Sequence, residues 1–110
     1  MLYEELAKIV ADNNLIEKSK ELFWKVIQIY LEDNLEEFNR KFGNYDKRAI
    51  ELYIDNVIFR VHSWPSDNHC CVLVNVNIAY NNKVIGYYDI QYGLDGEIDD
   101  DLLLYTKTFN

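Results

Sequence analysis

Apolar residues recur at helical spacing through the first forty or so positions. Leu2, Leu6, Ile9 and Val10 mark a first amphipathic helix, which Asn13-Asn14 interrupts. From about Leu15 a longer stripe follows: Leu22, Phe23, Val26, Ile27, Tyr30, Leu31, Leu35, Phe38 and Phe42. These keep to three-and-four spacing, so one wide face of a second helix is apolar. Lys41 in the last turn and Gly43 just beyond are stop signals. So wide an apolar face calls for a sheet to cover it.

Beyond Gly43 the period drops to two. Val57, Phe59 and Val61 alternate with Ile58, Arg60 and His62; Val72, Val74, Val76, Ile78 and Tyr80 alternate with Cys71, Leu73, Asn75, Asn77 and Ala79. Val84, Gly86, Tyr88, Ile90 and Tyr92 alternate with Ile85, Tyr87, Asp89, Gln91 and Gly93. Asn81-Asn82-Lys83 reads as a tight hairpin connection and Asp95-Gly96 as a second turn. A last strand is expected over about Leu102 to Phe109, and a further strand or short helix within Ala49–Ile54. Ser63 to His69, with the only proline, reads as a loop. The pattern predicts one α+β domain over residues 1–110. A helical layer (1–43) covers one face of a four- or five-stranded antiparallel meander (49–109). The other face carries Arg60, His62, Asn75, Asn77, Tyr87, Asp89 and Gln91, open to solvent or to a partner.

Composition narrows what that face could meet. The chain is 49% hydrophobic and 15% aromatic, enough for a real core. The net charge is −8, which argues against nucleic acid and anionic membranes and favours a basic protein partner. Residues 1–60 hold 12 acids and 9 bases, whereas 61–110 hold 7 acids and only Lys83 and Lys107, so the second half is the predicted docking side. MLYEELAKIVADNN has early acids and no long apolar run, which reads as neither a signal peptide nor a membrane span. Cys70 and Cys71, the only cysteines, are neighbours and form no disulfide framework. A cytoplasmic location is expected.

The chemistry of catalysis finds little purchase. An EF-hand loop built around Gly96 would need ligands at Gln91 and Gly93 and a Glu where Leu102 stands. Alternation scatters His62, His69, Cys70 and Cys71 over both faces, against a zinc site. A Cys–His62 nucleophile pair is conceivable across two strands, but Val72 and Leu73 favour an inert buried thiol. No phosphate-binding glycine loop, dinucleotide fingerprint or nucleophile elbow occurs. Asp99, Asp100 and Asp101 are expected at a wet turn-to-strand edge, where nothing tunes an acid for catalysis. They also guard an edge strand against stray pairing. Neither enzyme activity, nor a cofactor, nor a metal is expected.

The stretch GYYDIQYGLDGEIDDDLL, Gly86 to Leu103, resembles the C-terminal hairpin of small acidic bacterial immunity proteins. These guard against polymorphic toxins, including those of contact-dependent growth inhibition. The resemblance spans about residues 53–106 and is one of style. Helices followed by a curved sheet are also similar to cystatin or NTF2-like folds. The first resemblance implies a cytosolic protein that binds one cognate toxin domain, often a nuclease, and covers its active site or substrate surface. On that reading Asp95, Glu97, Asp99, Asp100 and Asp101, with Asp89 and Asp67 nearby, pair with toxin Lys and Arg. Trp64 and Tyr87 serve as ring anchors. A homo-oligomer is possible on this pattern but not predicted by it. The alternative is a ligand-binding protein or enzyme with a pocket between the second helix and the sheet. Tyr30, Phe38, Tyr88 and Tyr92 would line it, beside His62 or Asp89. A plain structural subunit is the third reading.

Overall fold

The computed structural model describes residues 1–65 and 70–105. The predicted end of the last strand, 106–109, lies outside the described residues, as do Asp67 and His69 in the loop. Helix α1 runs Tyr3–Asp12 and helix α2 Leu15–Phe42. Asn14 joins them in a left-handed conformation (φ 53°), which an Asn tolerates better than most residues. The 28 residues of α2 make a rod about 42 Å long.

Of the expected stripe, helix α2 buries Phe23, Ile27, Phe38 and Phe42 and half-buries Leu22, Val26, Tyr30 and Leu31 against the core; Leu15 and Ser19 are buried besides. Leu35 departs from the stripe, at 45% exposed. The cause is its neighbour Asn34, which leaves helical geometry (φ −127°, ψ 19°) and donates its side-chain N–H to the Tyr30 carbonyl at 3.0 Å. That competing bond kinks the rod and shifts which side chains face inward. Gly43, at φ 90°, ends the helix.

A short 3₁₀ turn, Lys47–Ala49, leads into strand β1, Ile50–Val61. Strands β2 (Cys70–Tyr80), β3 (Lys83–Gly93) and β4 (Ile98–Tyr105) follow, all antiparallel, in the spatial order β1-β2-β3-β4. The fold is thus α+β, two helices against a four-stranded open sheet.

Three bulges set details that alternation alone does not carry. Asp55 is the extra residue between the paired Ile54 and Asn56, so the stretch expected as a separate element is continuous with β1. Ile85 is the extra residue in β3, between the partners of Ile78 and Ala79. The parity expected at the start of β3 is therefore reversed: Val84 is 53% exposed and Ile85 is 1% exposed. Asp99 is the extra residue in β4, which begins at Ile98, four residues before the expected Leu102.

The core lies between α2 and the sheet. Phe23, Ile27 and Phe38 meet Val72, Val74, Val76, Ile78, Tyr80, Tyr88, Ile90 and Tyr92. Its buried hydroxyls are satisfied. Tyr80 donates to the Asn44 carbonyl at 2.6 Å and accepts from the Asp46 amide at 2.8 Å, closing the loop after α2 onto β2. Ser19 donates to the Leu15 carbonyl at 2.7 Å and meets the Tyr92 hydroxyl at 2.9 Å. Among the described residues, no helix is long and apolar enough to cross a membrane.

Candidate functional site

The sheet face away from the helices is uncovered among the described residues, and register fixes what it presents. One row across it reads Ile58, Leu73, Gln91, Asp100; the next reads Asn56, Asn75, Asp89, Leu102. Directly paired residues share a face, so these side chains stand together. A shallow depression of about 170 Å³ forms at their centre, lined by Arg60, Leu73, Asp89, Gln91, Asp100, Asp101 and Leu102. Asp89 is half-buried and accepts a short hydrogen bond from the Asn75 side chain. Arg60 is the one cation in the lining. Apolar Leu73 and Leu102 flank Asp89 and Asp100, an arrangement suited to holding a cationic side chain by its stem and its head.

The acidic run does not act as one cluster. Asp95 and Glu97 lie in the β3–β4 turn, where the Asp95 carboxylate accepts from the Glu97 amide at 3.0 Å. Glu97 borders a separate hollow with Lys18, Glu21 and Lys25 of α2. Asp99 is an exposed bulge residue. Asp100 sits on the open face opposite Gln91, whereas Asp101, opposite Ile90, takes the helix side. There its carboxylate accepts from the buried Tyr88 hydroxyl at 2.5 Å. Asp99 to Asp101 are exposed just after the turn, as expected, but they lie inside β4 rather than ahead of it, and strand alternation puts Asp100 and Asp101 on opposite faces.

Tyr87 is half-buried on the open face, opposite Asn77. Trp64 is 80% exposed, just past the end of β1. It shares an end of the sheet with the acidic turn but lies across the width of three strand spacings, about 14 Å. Asp67 lies outside the described residues. The structure therefore gathers Asp89 and Asp100, with Tyr87 nearby; Asp101 borders the same depression while its carboxylate is taken by Tyr88, and Trp64, Asp95 and Glu97 stand apart.

The pocket imagined between α2 and the sheet is not lined as expected. Phe38, Tyr88 and Tyr92 are buried core rings, while Asp89 belongs to the opposite face. An apolar cleft of about 510 Å³ lies elsewhere, lined by Tyr3, Leu6, Ala7, Val10, Ala11, Asn14, Ile16 and Val57. Sequence reading missed it, because its lining joins α1, the start of α2 and Val57 of β1, residues that only the fold brings together. The Cys71–His62 pair does form, with Sγ and Nε2 at 3.5 Å. Burial pushes the Cys71 thiol up, with Arg60 opposing, which favours the neutral thiol. Among the described residues, no group of three or more His, Cys, Asp or Glu is placed to hold a metal.

These features define an α+β protein with one uncovered, mixed apolar and acidic sheet face. Set against known proteins, no family model, no curated protein and no solved structure matches the chain.

Proposed function

We propose that this chain is an immunity-type inhibitor, a binding protein that captures one basic toxin domain on the open face of its sheet. A nuclease is the favoured target, since its phosphate-binding Lys and Arg complement a chain of net charge −8. The observation that carries the reading is the open face itself. It juxtaposes Asp89 and Asp100 with Leu73, Tyr87 and exposed Leu102. Interfaces are anchored by ring and aliphatic groups inside a charged rim, and this face offers both. The inhibitor performs no bond-making; it excludes substrate by occupying the toxin's cationic surface.

The test is co-expression with the C-terminal domain of whatever protein is encoded directly upstream, which this reading expects to be a toxin. Wild-type protein binds it and restores growth. Asp100→Lys weakens binding by roughly 2–5 kcal/mol if its pair is desolvated. Unchanged affinity in Asp100→Lys and in Leu102→Lys removes this face from the reading. Failure of the wild-type chain to neutralise that domain removes the reading altogether.

The apolar cleft beside α1 supports a second reading, a carrier of a small uncharged ligand. A metabolite library that raises the melting temperature of the wild-type chain, but not of Val57→Lys, would favour it.

A further inference from the structure

The two edges of the sheet are built differently. Strand β4 carries Asp99, Asp100 and Asp101 in succession, a charged edge that discourages pairing. Strand β1, the other edge among the described residues, runs for 12 residues with no Pro and no Lys, and includes Ile, Leu, Tyr, Val and Phe. Its exposure pattern is a palindrome but for the first residue being the more buried. Read from either end, outward-facing residues occupy the second and fourth places, and Asp55-Asn56 the centre.

That symmetry comes from the bulge. An unbroken strand of even length puts opposite faces at mirror positions. The extra residue Asp55 restores the match, so Leu52 and Phe59 both face the helix side, as do Ile54 and Val57. Tyr53 and Ile58, 52% and 41% exposed, both face outward, and so do Glu51 and Arg60.

We propose that β1 pairs antiparallel with β1 of a second copy, about a two-fold axis at Asp55-Asn56, giving one continuous eight-stranded sheet. In this register Glu51 of each copy faces Arg60 of the other, twice over. Tyr53 faces Ile58, an aromatic with a β-branched residue, and Leu52 faces Phe59. Every direct pair is face-matched and the outer charged pair is opposite in sign. The contact is isologous, as a two-fold dimer requires. Asp55 of each copy faces Asn56 of the other, and the one unfavourable contact is diagonal, between the two Asp55 carboxylates near the axis. The dimer goes beyond the inhibitor reading; it engages Arg60 at one rim of the depression and leaves Asp89 and Asp100 uncovered on each copy.

Sedimentation velocity over a concentration series tests it. The wild-type chain runs as a dimer. Glu51→Arg and Arg60→Glu, both at exposed positions, each weaken the dimer about tenfold by setting like charges opposite. The combined variant restores it, and Asp55→Asn tightens it. Circular dichroism confirms that each variant is folded. Register is read with Tyr53→Cys combined with Ile58→Cys. Five residues apart on one strand, roughly 17 Å, these thiols cannot join within a chain. Oxidation gives a covalent dimer that neither single variant gives. A wild-type chain that stays monomeric overturns the proposal. So does a dimer indifferent to both single reversals, or a combined variant that fails to recover.

Discussion

The buried Tyr88 hydroxyl donates to the Asp101 carboxylate at 2.5 Å, tying edge strand β4 to the strand that holds the core. A hydrogen bond to a carboxylate is stronger than a neutral one, but Asp101 is exposed and water competes for it. Tyr88→Phe is expected to lower stability by about 1 kcal/mol, read as a shift in urea midpoint. Asp101→Lys is expected to destabilise as well, whereas Asp100→Lys leaves the midpoint close to wild type. Loss of partner binding in Asp100→Lys therefore reports the interface, and in Asp101→Lys it does not.

The same tyrosine sets the alkaline limit. Burial, then the bond to Asp101, pushes the Tyr88 phenol far above its usual value of 10.0. Burial also raises Tyr92, Tyr45 and Tyr30. The folded chain therefore keeps protons that the unfolded chain releases above about pH 10. Stability from these groups is fully present below that pH and falls as pH rises beyond it. Urea unfolding between pH 8 and 11 should show the decline, and Tyr88→Phe should make it shallower. A flat profile would mean that these phenols ionise alike in both states.

Ser19 is the one polar residue in the buried row of α2, and its partner Tyr92 is buried too. With the Ser19 hydroxyl donating to Leu15, the Tyr92 hydroxyl donates to Ser19. Ser19→Ala strands that donor in the core and should cost about 1–3 kcal/mol. Tyr92→Phe in the same background removes the stranded group and should recover part of the loss. A double-mutant cycle by denaturant unfolding measures the coupling; additivity of the two losses would show that the contact contributes nothing.

Sequence pattern reached the layers but not the bulges. Val72 to Tyr80 alternate cleanly because β2 is a central strand with one face on α2. Asp89, Gln91 and Tyr87 could be assigned to the open face for the same reason. Asp55, Ile85 and Asp99 are single inserted residues with no periodic mark, and each reverses the face of what lies beyond it. Aspartates disfavour strands, so β4 was expected to begin at Leu102; pairing with β3 extends it back to Ile98. That extension separates Asp100 from Asp101 and so decides which acids share a site. The Tyr88–Asp101 bond joins residues 13 apart that no short window of sequence pairs, and the Asn34 kink rests on a local bond to the Tyr30 carbonyl that apolar spacing does not mark.

Gly96 joins the acidic turn to the helices. Its φ is +86°, and a Cβ there would stand 2.5 Å from Asn13 Oδ1 and 2.7 Å from Asn13 Cβ. Asn13 has little room to yield, because its side-chain N–H is bonded to the Ile9 carbonyl at 2.9 Å and the overlap reaches its own Cβ. The Gly96 carbonyl also accepts from Lys18 Nζ at 3.3 Å, so the turn seats directly on the α1–α2 junction. Gly96→Ala should destabilise by roughly 1–3 kcal/mol from backbone strain, with overlap adding to it. Asn13→Gly in the same chain relieves the overlap and leaves the strain, so partial recovery separates the two. An unfolding free energy within about 0.5 kcal/mol of wild type, the spread of neutral surface changes, would mean the turn is not seated there. Because the turn also carries Asp95 and Glu97, the variant has a second use. Partner affinity that survives Gly96→Ala would confine the interface to the sheet face around Asp89 and Asp100.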